Sequence, residues 1–120
     1  MSVIDFSMRK WLIFLALSLL ALPSCMNREK VKKPEVFLEE QQMIDVLFDS
    51  YLIEAELNQM KAAGKDVSSL QSVYYEQLFE HYSITDSIFE QNMYYYTHYP
   101  ATLERIMDSV NNRFVRVQVN

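Results

Sequence analysis

Glycine occurs once in this sequence, at Gly64, and proline only at Pro23, Pro34 and Pro100. Between Glu35 and Ala63 there is neither, and glutamates crowd the first turns of that stretch, where the positive end of a helix dipole favours them. A long helix is predicted, entered at Pro34, whose fixed φ suits a first helical turn, and stopped at Gly64, which tolerates positive φ. At 1.5 Å of rise per residue it is about 43 Å long. Half of the 120 residues are apolar, which excludes a disordered tail, and the lone glycine argues against a loop-rich scaffold.

Steps of 100° along this helix place Gln42, Asp45, Asp49 and Glu56 on a solvent stripe, opposite Met43, Ile44, Leu47, Tyr51 and Ala55. The apolar arc is broad, so contact with more than one neighbour is expected. Asp66 to Ser69 offer N-caps for a second helix to about Tyr82, with Val67, Leu70, Tyr74, Leu78 and Tyr82 inside. Thr85 is the N-cap of a third, with Asp86 in its first turn and Ile84 and Phe89 set as a hydrophobic staple. That helix runs to about His98 and buries Phe89, Met93 and Tyr96. After Pro100, a fourth carries Leu103, Ile106, Met107, Val110, Phe114 and Val117 on one stripe, while residues 115–120 also alternate as a strand does. Short connections between amphipathic helices predict an all-α fold, a small antiparallel bundle of three to four helices spanning 35–120.

The N-terminus reads as an address. Arg9 and Lys10 precede an apolar run from Trp11 to Leu22, too short to span a bilayer comfortably and right for the h-region of a signal peptide over 1–24. Leu22-Pro23-Ser24-Cys25 resembles the bacterial lipobox, which implies lipidation of Cys25 and a membrane anchor through that lipid. Met26 in place of aspartate, by resemblance to enterobacterial sorting, implies the outer membrane. The lack of an acidic run after Cys25 implies a domain facing the periplasm. Residues 25–34 form a tether with four basic side chains against one acidic, net +3. Residues 35–120 hold five Lys and Arg against fourteen Asp and Glu, net −9, a surface that repels nucleic acid and anionic lipid while the tether attracts the latter. A single cysteine excludes an intramolecular disulfide.

Three stretches carry a family resemblance: Met43-Ile44-Asp45-Val46-Leu47 continuing to Glu54-Ala55; YEQLFEHYSITDSIF from Tyr75 to Phe89; and Tyr95-Tyr96-Thr97-His98-Tyr99-Pro100 followed by Leu103, Ile106 and Val110. In order and spacing they resemble a family of small Bacteroidota lipoproteins, domain of unknown function 4296. Tyr99 stands where that family places His directly before Pro, so the turn there is expected to differ. The resemblance implies a lipid-anchored helical domain and carries no activity or catalytic residue.

Glu54 is the most telling polar residue, because the wheel sets it between Met43 and Leu47, with Asn58 one turn on. A carboxylate there needs a partner: a tyrosine such as Tyr96 or Tyr74, or Lys61. Otherwise Glu54, Asn58 and Tyr96 line a ligand pocket between helices. Asp45 and Asp49 are four apart but on the solvent stripe, and His81 and His98 sit at different helix ends, so no metal site and no cofactor are expected. With Cys25 acylated and no glycine-flanked serine elbow, no catalytic residue is assigned and an enzyme is not expected. Tyr94, Tyr95, Tyr96 and Tyr99 cannot all point inward, so Tyr94, Tyr95 and Tyr99 form a candidate interface. The expected function is a non-catalytic, lipid-anchored interaction module of the cell envelope with a protein partner. The alternative is a small-ligand binding protein.

Overall fold

The structure, a computed structural model, describes residues 2–19 and 29–119, so Cys25 and the lipobox lie outside the described residues. Helix α1, Ser2–Leu19, covers much of the predicted signal peptide and leaves Trp11, Leu12 and Phe14 exposed. Among the described residues no helix is long and apolar enough to cross a membrane. Among the described residues of the body that follows, all regular secondary structure is helical: α2 at Glu40–Ala62, α3 at Ser68–His81, α4 at Asp86–Thr97 and α5 at Pro100–Val119.

Helix α2 begins five residues later than the proline suggested. Residues 34–39 are not helical: the chain bends at Glu35 and Val36, and Glu39 is extended at φ −64° and ψ 162°. Gln42 folds back to accept from the Glu39 N–H at 2.9 Å, as in a capping box. The cause lies far away in the chain: side chains of α4 take the Leu38 N–H and the Val36 and Leu38 carbonyls, so an earlier helix has no backbone groups to use. At the other end Gly64, at φ +77°, closes α2 with a Schellman motif. The Lys65 N–H donates to the Met60 carbonyl and the Gly64 N–H to that of Lys61.

Helix α2 packs on both α3 and α5, and α4 packs on α5. Contacts of α2 with α3 pair Asp49 with Tyr82, Glu54 with Tyr75 and Glu56 with Tyr74, so these two run antiparallel. Those with α5 pair Glu40 with Arg105, Asp45 with Arg113 and Phe48 with Phe114. These numbers rise together, so α2 and α5 run in the same sense. The core is shared by Leu38, Met43, Ile44, Leu47, Phe48, Tyr96, Ile106 and Val110, with Phe89, Met93, Leu103 and Met107 partly buried against it.

Four details differ from the helical wheel. Tyr51 and Ala55 are exposed, because α2 is buried nearly all round in its first half and only at Leu57 later on. Asp45 and Asp49 are half-buried, facing α5 and the end of α3, rather than solvated. Val117 is 59% exposed, three residues past Phe114, the last residue of α5 that packs against the core. The final segment is helical through Val119, with no strand.

Candidate functional site

The most elaborate polar arrangement in the protein is a clamp on its own N-terminal segment. Asn92 lies on the face of α4 between Phe89 and Tyr96 and is fully buried. Its Oδ1 accepts from the Leu38 N–H at 2.8 Å, and its Nδ2 donates to the Val36 and Ile88 carbonyls, each at 2.8 Å. One turn on, the Tyr96 hydroxyl donates to the Leu38 carbonyl at 2.7 Å. Tyr99 reaches the Val31 carbonyl at 3.3 Å. The strap, residues 29–39, is thus read mainly through its backbone, as a bound peptide would be.

Side chains complete the grip. Leu38 enters the core, and the Phe37 ring sits edge-on to Tyr95 at 5.2 Å and tilted against Tyr96 at 5.8 Å. The Lys33 ammonium lies 4.2 Å from the Phe37 centroid, a cation–π contact. Tyr95 and Tyr99 stack at 4.6 Å. Burial, reinforced by the nearby Glu39 and Glu40 carboxylates, pushes the Tyr96 phenol up to about 12, so the hydroxyl stays a donor throughout the physiological range.

Of the candidate interface residues, therefore, Tyr95 and Tyr99 are half-buried by the strap, and Tyr94 alone is broadly exposed, at 60%. His98 packs on Tyr94 at 4.6 Å and its Nδ1 donates to the Tyr94 carbonyl at 2.8 Å. Neither Asn92 nor the strap stood out in the sequence. An asparagine at i+3 from Phe89 and i−4 from Tyr96 was the available signal.

Glu54, Asn58 and Tyr96 are not brought together. Glu54 accepts from the Tyr75 hydroxyl at 2.6 Å, one residue along α3 from the anticipated Tyr74, which instead lies 3.4 Å from Glu56. Burial first, and donation to Glu54 second, push the Tyr75 phenol up to about 12. Asn58 is exposed. The Tyr96 hydroxyl sits at Leu38, just before α2, whereas Glu54 is fourteen residues along that helix, about 21 Å away at its rise.

Asp49 accepts from the Tyr82 hydroxyl at 2.5 Å, and Asp45 pairs with Arg113 at 2.7 Å while Arg113 also lies over the Phe48 ring. Burial and the Asp49 bond raise the Tyr82 phenol above its ordinary value. Among the described residues, no three histidine, cysteine, aspartate or glutamate side chains converge as metal ligands. One cleft of about 560 Å³ lies between α3 and the start of α4, with Phe79 and Ile84 at its apolar part and Glu76, Glu80 and Asp86 around it.

A family model described as Domain of unknown function (DUF4296) matches residues 34–119, which takes in the end of the strap and all four helices of the body. No curated protein and no solved structure matches the chain.

Proposed function

The chain belongs to the DUF4296 family, and from that premise we propose that it is a non-catalytic, lipid-anchored interaction module of the bacterial cell envelope. Cys25 carries the lipid, the leaflet-bound end lies in the outer membrane, and the body faces the periplasm, as the lipobox resemblance and the likeness to Bacteroidota lipoproteins suggest. The observation that carries this reading is the clamp. The domain commits the fully buried Asn92 and two tyrosines to gripping the segment that leads to Cys25. Such a grip turns a flexible leash into a fixed point of attachment, which serves a protein held in place to meet a partner. The most telling carboxylates and one of the two histidines point the same way. Glu54, Asp45, Asp49 and His98 are each engaged by a neighbouring group, as members of the scaffold are.

The test begins with intact-mass analysis of the protein purified from its own membranes. The expected mature chain starts at Cys25 with acyl groups attached, and Cys25→Ser leaves the protein unprocessed. Cross-linking in intact cells is then expected to join the body repeatedly to one envelope protein, and Cys25→Ser to abolish that product. An unmodified Cys25, or a cross-linking pattern identical for the two forms, overturns the proposal.

A further inference from the structure

The clamp also dictates which side of the body meets the bilayer. The strap reaches the domain at one corner, where Glu29 and Lys30 line a shallow cleft with His98, Tyr99 and Pro100, between the end of α4 and the start of α5. Only three residues separate Glu29 from Cys25, and the four steps between them, fully extended, reach about 14 Å. A lipid on Cys25 therefore keeps this corner within that distance of the headgroups, whatever path the intervening chain takes.

The chemistry at the corner suits such a place. Lys30, Lys32 and Lys33 line the strap, and its Val31, Lys32 and Pro34 form an apolar-walled groove with Glu90, Gln91 and the exposed Tyr94. Lysines are drawn to an anionic headgroup layer, and tyrosine, with an apolar ring and a wet hydroxyl, is enriched at that depth. Glu29 and Glu90 border the corner, but the larger acidic cluster, Glu76, Glu80 and Asp86, gathers around the start of α4, at the other end of a twelve-residue helix about 18 Å long. Helix α5 starts at the corner and α2 lies alongside it in the same sense, so both lead away from it.

We infer that the face made by Lys30, Lys32, Lys33, Tyr94 and His98 docks on phospholipid headgroups, and that the body stands with the α2–α3 turn and the end of α5 farthest from the membrane. This rests on the lipidation proposed above and adds to it an orientation and a second, non-covalent contact.

Acylation removes the only native thiol, so single introduced cysteines report cleanly. Full-length lipidated protein bearing Ala101→Cys or Val117→Cys, sites about 24 Å apart along α5, is labelled with a fluorophore. It is then placed in phosphatidylethanolamine–phosphatidylglycerol vesicles containing nitroxide-headgroup lipid. Quenching several-fold stronger at 101 than at 117 is expected, and Lys30, Lys32 and Lys33 changed together to Glu should bring the two values together. Equal quenching at the two sites, or quenching at 101 that ignores the lysine reversal, overturns the docked face while leaving the anchor intact. A mass showing Cys25 unmodified overturns the anchor, and this inference with it.

Discussion

At the residue scale, Asn92 holds the most consequential position. Its amide satisfies a donor and two acceptors at once, and among the described residues no buried side-chain polar atom lacks a hydrogen-bond partner. Replacing it with alanine leaves the buried Leu38 N–H without its acceptor and the Val36 carbonyl without its donor. A buried polar group left unsatisfied costs about 1–3 kcal/mol. Asn92→Ala is therefore expected to lower stability by about 2–4 kcal/mol in urea denaturation and to speed hydrogen exchange at Leu38 in particular. Asn112→Ala, on the exposed side of α5, is the control. If the two variants unfold at the same urea concentration, the strap contributes nothing to the fold. The strap also explains why Asn92 escaped sequence reasoning. An isolated asparagine on an apolar face does not announce distant partners, and beyond the Ile88 carbonyl one turn back those it binds lie 54 and 56 residues earlier.

At the element scale, the connection between α3 and α4 shows local signals at their most informative. Ser83 takes the left-handed conformation at φ 54°, and α3 ends in a second Schellman motif, with the Ile84 N–H on the Phe79 carbonyl and the Ser83 N–H on that of Glu80. Ile84 then precedes Thr85, whose Oγ1 accepts from the Ile88 N–H at 3.2 Å to start α4. Ile84 thus closes one helix and opens the next, and with Phe89 it packs against the core as the staple pattern predicted. A non-glycine residue in the left-handed region is strained by roughly 1–2 kcal/mol, and glycine returns part of that relief as unfolded-chain entropy. Ser83→Gly should accordingly gain about 0.5–1 kcal/mol, read as a raised Tm. Thr85→Ala should lose about 1 kcal/mol through its cap, and a Tm equal to the parent's would mean the cap is idle. The Gly64 stop, the Thr85 cap and the inner face of α3 were legible because each is written within a few residues. The start of α2 was not. Pro34 and the glutamates favour helix locally, and only Asn92 and Tyr96 overrule them. The same holds for Asp45 and Asp49, which a wheel assigns to water until Arg113 and Tyr82 arrive from other helices.

At the scale of the whole molecule, three tyrosines tie the parts together: Tyr75 and Tyr82 join α3 to α2, and Tyr96 joins α4 to the strap. Each donates its proton to an oxygen and is wholly or partly buried, and each phenol is held above its ordinary value. A group bound more tightly to its proton in the folded state adds stability that is complete below its unfolded pKa and disappears as pH rises past it. For Tyr75 and Tyr96 that window opens near 10 and closes near about 12. Within it the unfolded chain has released protons the folded chain still holds, so alkali favours unfolding. Phenolate at position 75 or 82 also faces a carboxylate, Glu54 or Asp49, across a distance fit only for a hydrogen bond. Denaturation midpoints should consequently fall steeply across this window. Tyr75→Phe starts lower, having lost one bond, but falls less, because one of the linked protons is gone. Every other ionisable group is common to the two proteins and cancels in the comparison. Parallel declines for parent and variant would mean that Tyr75 ionises as freely in the fold as in the open chain, and that the α2–α3 contact stands without its hydrogen bond.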